Sequence, residues 1–158
     1  MIEKELLTKV RHVALATVNE DGTPHNTPLF FIYSPDFKKF YMSTHPQSLH
    51  ARNVERIGKG FAILYDSSAF LGGLYLTLEN FKVLNELNEL AEGMMVYNAT
   101  RMRWGMNESS ITDYQDPNER RLYSADIIKI EIYGSKETKD GKILNEQRVE
   151  VSVEDLLT

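Results

Sequence analysis

Between residues 12 and 44 the chain alternates short β-rich runs with tight turn chemistry, and this pattern constrains its fold more than any other feature. HVALATVN is apolar and partly β-branched, EDGT follows, and TPLFFIY is a second run. SPDFKK turns the chain again and KFYMST is the third run. Asp-Gly is a strong hairpin signal because glycine tolerates positive φ. Pro35 and Asp36 suit the second turn. Pro24 and Pro28 sit toward the start of the second run, where a missing N–H costs least. Runs joined by two tight turns predict an antiparallel meander.

Helices and further strands fall around this unit. Ile2, Leu6, Leu7 and Val10 share one face of a short helix over residues 2–11. PQSLHARNVERIGKG reads as a helix beginning at Gln47 or Ser48 after Pro46 and ending at Gly58 and Gly60. GFAILYD is a fourth strand, apolar enough to be central. A long fifth strand follows, interrupted by Gly72-Gly73, where paired glycines suggest a bulge or a close approach. A helical insert spans about 86–121, with Leu87, Leu90, Met94, Met95, Tyr97 and Met102 as its apolar members. LYSADIIKIEIYG is a strong strand whose Ile128, Ile130 and Ile132 are expected on one face. KDGK marks another turn, and the chain closes with a short strand and a helical stub. The expected fold class is mainly β (α+β): one domain over 1–158, a closed or nearly closed antiparallel barrel with helices at its flank. Such closure removes exposed sheet edges.

Composition narrows the function classes. With 158 residues, 42% hydrophobic and 26% charged, the chain suits a globular domain with a real core. A net charge of -5 argues against broad nucleic-acid binding, which needs a basic surface. No apolar run approaches the roughly 18 residues of a membrane span. The N-terminal segment lacks the apolar core of a signal peptide, so the expected location is cytoplasmic. The absence of cysteine excludes disulfides and thiolate chemistry. The four histidines, His12, His25, His45 and His50, stand at no metal-binding spacing, so no metal site is expected.

The richest polar stretch is YMSTHPQSLHARNVE, at a strand-to-helix junction. Ser43, Thr44, Ser48, His50, Arg52 and Asn53 gather there. A helix N-terminus offers unpaired N–H groups and partial positive charge, and phosphates bind there readily. Two readings stand side by side: Ser48 simply caps the helix, or the cluster holds an anion.

The ordered set Ala16-Thr17, Asp21-Gly22, Pro24, Ser43-Thr44, Ser48, His50 and Asn53-Val54 resembles the pyridoxamine 5′-phosphate oxidase-like family, the FMN-binding split barrels. The resemblance covers roughly residues 10–84. It implies a split antiparallel barrel, a homodimer with FMN at the interface, and oxidoreductase chemistry on a small-molecule substrate. It assigns the FMN phosphate to Ser43, Thr44, Ser48 and His50, with Arg52 and Asn53 beside them, and the flavin ring to Thr27, Pro28, Leu29 and Phe30. Where the family commonly has Arg and Lys, this chain has Thr27 and His50, so two phosphate-pairing cations are replaced. The C-terminal EVSVEDLLT also lacks the family's Arg-containing substrate motif.

Trp104, with Arg101 and Arg103, ends the insert helix. These arginines complement the helix dipole while Trp104 packs on the barrel; alternatively, in the implied dimer, Trp104 stacks on the partner's flavin. Glu86, Glu89 and Glu92 read as a solvated face. No phosphate loop or hydrolytic constellation is visible. Alternatives to an FMN oxidoreductase are a non-catalytic flavin, deazaflavin or haem module, and a dimer that has lost its cofactor.

Overall fold

The computed structural model describes residues 2–68, 72–133, 137–139, 142–145 and 147–158. Helix α1 (Ile2–Lys9) leads into β1 (His12–Val18) and β2 (Pro24–Phe30), which pair antiparallel from His12↔Phe30 to Val18↔Pro24. The turn between them works as its residues dictate. Gly22 takes φ 83, and Asp21 Oδ1 accepts hydrogen bonds from the Thr23 backbone and hydroxyl.

The second apolar run does not remain one strand. It breaks at Phe31, and β3 (Ile32–Tyr33) pairs instead with β4 (Lys39–Thr44). The meander expectation is corrected there: β4 pairs with β3 and with β7 (Arg121–Tyr133), far along the chain. With β5 (Lys59–Leu64) and β6 (Leu74–Val83), the sheet order is β2-β1-β5-β6-β7-β4-β3, and β10 (Arg148–Glu150) adds to β7. Its two outermost strands, β2 and β3, are consecutive in the chain and separated by Phe31 alone. The sheet therefore curls toward closure, giving the split antiparallel barrel expected from the sequence. A separate hairpin pairs β8 (Glu137–Lys139) with β9 (Lys142–Asn145). The expected Asp140-Gly141 turn lies outside the described residues.

Two irregularities shape β6 and β7. The register steps from Thr77↔Lys129 to Leu78↔Ile127, which leaves Ile128 as an extra residue. It is exposed, whereas Ile130 is buried and Ile127 packs on the barrel core. The expectation that Ile128 shares a face with Ile130 fails because the bulge breaks the two-residue period. On β6 one extra residue lies between Glu79 and Lys82, where Asn80 takes φ 56 and donates to Asp126 at 2.7 Å. Gly72-Gly73 precede β6 rather than interrupting it. A Cβ on Gly73 would lie 3.0 Å from the Tyr75 ring, so that glycine accommodates a neighbouring side chain.

Strand alternation sorts the core into two layers. Phe31, Phe40, Met42 and Tyr123 face the barrel interior with Leu6, Leu7, Val54 and Leu156 from the helices. Ile32, Tyr41 and Leu122 face the other way, under α3 (Leu87–Arg103) and a 3-10 turn at Ile111–Tyr114. Leu90, Met94, Tyr97 and Tyr114 close that outer layer. Helices α2 (Leu49–Ile57) and α4 (Val153–Leu157) complete the fold. No helix among the described residues is long and apolar enough to cross a membrane.

Candidate functional site

Helix α2 begins where the sequence places it. Ser48 is the N-cap, its hydroxyl accepting from Ala51 N, and Gly58 ends the helix at φ 75 with its N–H on Val54 O. Because β4 delivers Thr44 beside this N-terminus, three side chains converge. His50 Nε2 lies 2.7 Å from Thr44 Oγ1 and 3.2 Å from Ser48 Oγ, and the two hydroxyls are 3.1 Å apart. This triangle is half-buried and contains no carboxylate. It can offer hydroxyl and ring donors to an oxyanion at the positive end of α2.

Its charge state is another matter. Burial holds the His50 imidazole below the usual histidine range, and nearby His25 lowers it further. His50 is therefore neutral near pH 7. His25 shares the half-buried side of β2 with Thr27 and Leu29, and its charge disfavours protonation of His50. Sequence reading missed His25, although its two-residue offset from Thr27 put both on one strand face.

The other predicted residues divide. Asn53 is buried and donates to Thr17 Oγ1 at 3.0 Å and Asn19 Oδ1 at 2.9 Å, tying α2 to β1. Arg52 is exposed on α2. Pro28 is exposed on β2, while Leu29 and Phe30 are half-buried and pack on the inner and outer core layers respectively. Ser43 points away from Thr44, as neighbours on a strand must. Its hydroxyl donates to Tyr114 Oη at 3.2 Å and accepts from Arg120 at 3.4 Å.

Ser43 thus belongs to a second donor group on the outer face of the sheet. Tyr97 and Tyr114, 6% and 5% exposed, meet edge-to-face at 5.5 Å. Arg101 donates to Tyr97 Oη at 3.3 Å and lies over its ring at 5.4 Å. Burial opposes ionisation of Tyr97, but hydrogen bonds from Tyr114 and Ser43 and the Arg101 guanidinium outweigh it and hold the hydroxyl below the usual tyrosine range. Tyr114 is pushed up to about 12, chiefly by burial. Within the pair, the Tyr97 proton is held less firmly than the Tyr114 proton. Neither Tyr114 nor Arg120 carried a sequence signal, because their partners lie on other elements.

Trp104 caps the C-terminal end of α3. Arg11 lies 5.0 Å over its ring and Arg103 5.8 Å, and among the described residues its buried Nε1 has no hydrogen-bond partner. A flavin stacked on this ring would compete with a guanidinium. A cleft of about 390 Å³ is lined by Arg11, His12, Pro28, Tyr65 and Asp66 among others. It touches the predicted residues only at Pro28, and the Thr44–Ser48–His50 cluster has the better donor chemistry for an anion. His45 Nε2 lies 2.9 Å from Glu119 Oε2.

The model of the family described as pyridoxamine 5′-phosphate oxidase matches residues 3–132. No curated protein matches the chain in sequence. A solved structure from Clostridium acetobutylicum is of a protein related to general stress protein 26 of B. subtilis, of the pyridoxinephosphate oxidase family. It aligns at TM-score 0.62 and 16% identity, over 96% of this chain and 92% of that one. An F420 reductase aligns at TM-score 0.59 and 15% identity, over 80% and 94%. A haem-binding protein from Mycobacterium smegmatis aligns at TM-score 0.64 and 11% identity, over 98% of this chain but 57% of that one. At such identities these likenesses show a shared fold.

Proposed function

Because the chain belongs to the pyridoxamine 5′-phosphate oxidase family, we propose that it is an FMN-dependent oxidoreductase acting on a small substrate as a homodimer. The observation that carries this reading is the Thr44–Ser48–His50 donor cluster at the N-terminus of α2. The cluster fits a phosphate: two hydroxyls, an imidazole and the first-turn amides, with no competing carboxylate. Thr44 and Ser48 would hold the phosphate oxygens, and β2, with His25, Thr27 and Leu29 on one side, would run along the ring.

A bound flavin supplies the hydride chemistry, which needs no protein nucleophile. The chain's own residues then bind, orient and hold protons. On the outer face of β4, Arg101, Arg120, Ser43 and the two tyrosines suit an oxyanion group on the substrate, since two guanidinium groups there are donors to hydroxyl oxygens. Tyr97 is the better placed of the tyrosines to lose a proton, and Tyr114 to keep one.

A second reading has its own observation. A neutral His50 clamps a phosphate dianion more weakly than a fixed cation, because charge-assisted bonds are about twice as strong. A weak clamp suits a carrier or sensor of flavin, deazaflavin or haem, or a dimer that no longer keeps a cofactor.

An absorbance spectrum after FMN addition and desalting tests the first reading. Retained flavin bands support it, and their loss on desalting favours the weak clamp. Oxidation of a reduced nicotinamide donor by the loaded protein separates an enzyme from a carrier.

A further inference from the structure

Strands β1 and β5 pair only over Ala14–Ala16, with Ala14 opposite Ile63 as the last rung, and then diverge. The divergence leaves one rung unmade. Phe31 N–H donates to Arg11 O, so odd-numbered residues of β1 turn their main-chain groups to β2 and even-numbered ones turn theirs to β5. Pro24 and Pro28 fit this parity, since both stand opposite even-numbered residues, where no N–H is needed toward β1. Ala14 and Ala16 find partners on β5. The next position, His12, would meet Tyr65, and among the described residues no such pairing or main-chain hydrogen bond is made. Both residues line the cleft of about 390 Å³ that opens there, with Arg11, Ala14, Pro28 and Asp66. Unpaired main-chain groups at a strand edge call for a partner.

The side chains around the rung select the ligand. Arg11 is exposed and, among the described residues, its guanidinium meets no carboxylate and no hydrogen-bond acceptor; it lies 5.0 Å over the Trp104 ring. Stacking holds a guanidinium in place and leaves its N–H edge free for a carboxylate. Asp66, the one carboxylate lining the cleft, is already engaged, its Oδ1 accepting from the Ser68 backbone at 2.9 Å and hydroxyl at 2.7 Å. Lys9 is paired with Glu5 at 2.5 Å. Arg11 is therefore the uncompensated charge. Tyr65, 57% exposed, and exposed Pro28 offer flat apolar surface. We infer that the open rung at His12 and Tyr65 is a binding site for a small aromatic carboxylate, its oxygens on the Arg11 guanidinium and the His12 N–H and its ring against Tyr65 and Pro28. One guanidinium and one N–H match the two oxygens of a carboxylate, whereas a phosphate is better served at Thr44–Ser48–His50. The cleft has the size of a small-molecule site, about 300–1,000 Å³. The inference does not depend on flavin binding.

Amide NMR of the full chain, titrated with benzoate, tests the site. Saturable shifts of the His12 and Tyr65 N–H signals are expected, with a change in the fluorescence of Trp104, the chain's one tryptophan, as Arg11 engages. Benzamide, the neutral counterpart, should bind about tenfold or more weakly, as should acetate, which lacks the ring. Arg11→Gln should weaken benzoate by a similar factor. Tyr65→Ser, at an exposed position, should weaken benzoate while leaving circular dichroism unchanged. No saturable shift at His12 and Tyr65, or equal binding of benzoate and benzamide by the wild type, would overturn the proposal, and neither result relies on a variant that folds. FMN moving the same amides and displacing benzoate would assign the cleft to the flavin and overturn it as well.

Discussion

His50 Nε2 and Thr44 Oγ1 lie 2.7 Å apart, joining the second residue of α2 to the last residue of β4. The contact holds the imidazole in place while burial keeps it neutral, so the cluster offers hydrogen bonds near pH 7 without positive charge.

The His50 ring is expected to titrate with a midpoint below the ordinary value of about 6.5. A depressed base binds fewer protons folded than unfolded, so its contribution favours folding at high pH and is lost as pH falls below the unfolded value. Anion binding should strengthen only on acidification beneath that region and stay flat from about 7 to 8. An NMR titration of the ring checks this, and a midpoint at or above the ordinary value would refute the burial argument.

His50→Lys places a fixed cation where the imidazole now sits. The gain from a neutral to a charge-assisted bond is about 1 kcal/mol, or about fivefold in FMN affinity. Equilibrium dialysis against FMN reads the change. Unaltered affinity would move the phosphate away from this helix terminus.

Asn53→Ala removes the bonds from α2 to Thr17 of β1 and to Asn19 just past it, leaving both short of a partner. The expected cost is about 1–3 kcal/mol. It should appear as a lower urea midpoint with an unchanged slope.

Gly93 lies where α3 meets the outer face of the sheet. A Cβ there would come within 2.8 Å of Leu84 Cδ1 and 2.9 Å of Leu122 Cδ2. Gly93→Ala is expected to destabilise by about 1–3 kcal/mol through overpacking, despite alanine's better helix propensity. Asn88→Ala, on the exposed side, should shift stability by less than about 0.5 kcal/mol. Thermal unfolding of the two variants compares them directly.

Much of this was legible because local chemistry decided it. Asp21-Gly22 fixed a hairpin, Ser48 and Gly58 bounded α2, and the barrel followed from strand number and short turns. The break at Phe31 was not legible, since TPLFFIY is apolar throughout and only the pairing of β3 with β4 divides it. Nor was the bulge at Ile128, which the two-residue period of the strand conceals. At the candidate site, the Thr44–Ser48–His50 grouping was readable as a short stretch of chain. Ser43 was grouped with it by sequence nearness, although alternation alone sends it to the opposite face. Its partner Tyr114 is distant in sequence and joins it only because β7 and the insert return there.

The passage of the chain through Phe31 has a mechanical consequence. In an open sheet an edge strand frays by itself, and its far edge is unaffected. Here the two edges are one covalent run anchored by a buried aromatic ring, so β2 cannot peel from β1 without loading β3 and β4. Strain applied where the flavin ring is proposed to lie would pass along the backbone through Phe31 into the β3–β4 hairpin that ends at Ser43 and Thr44.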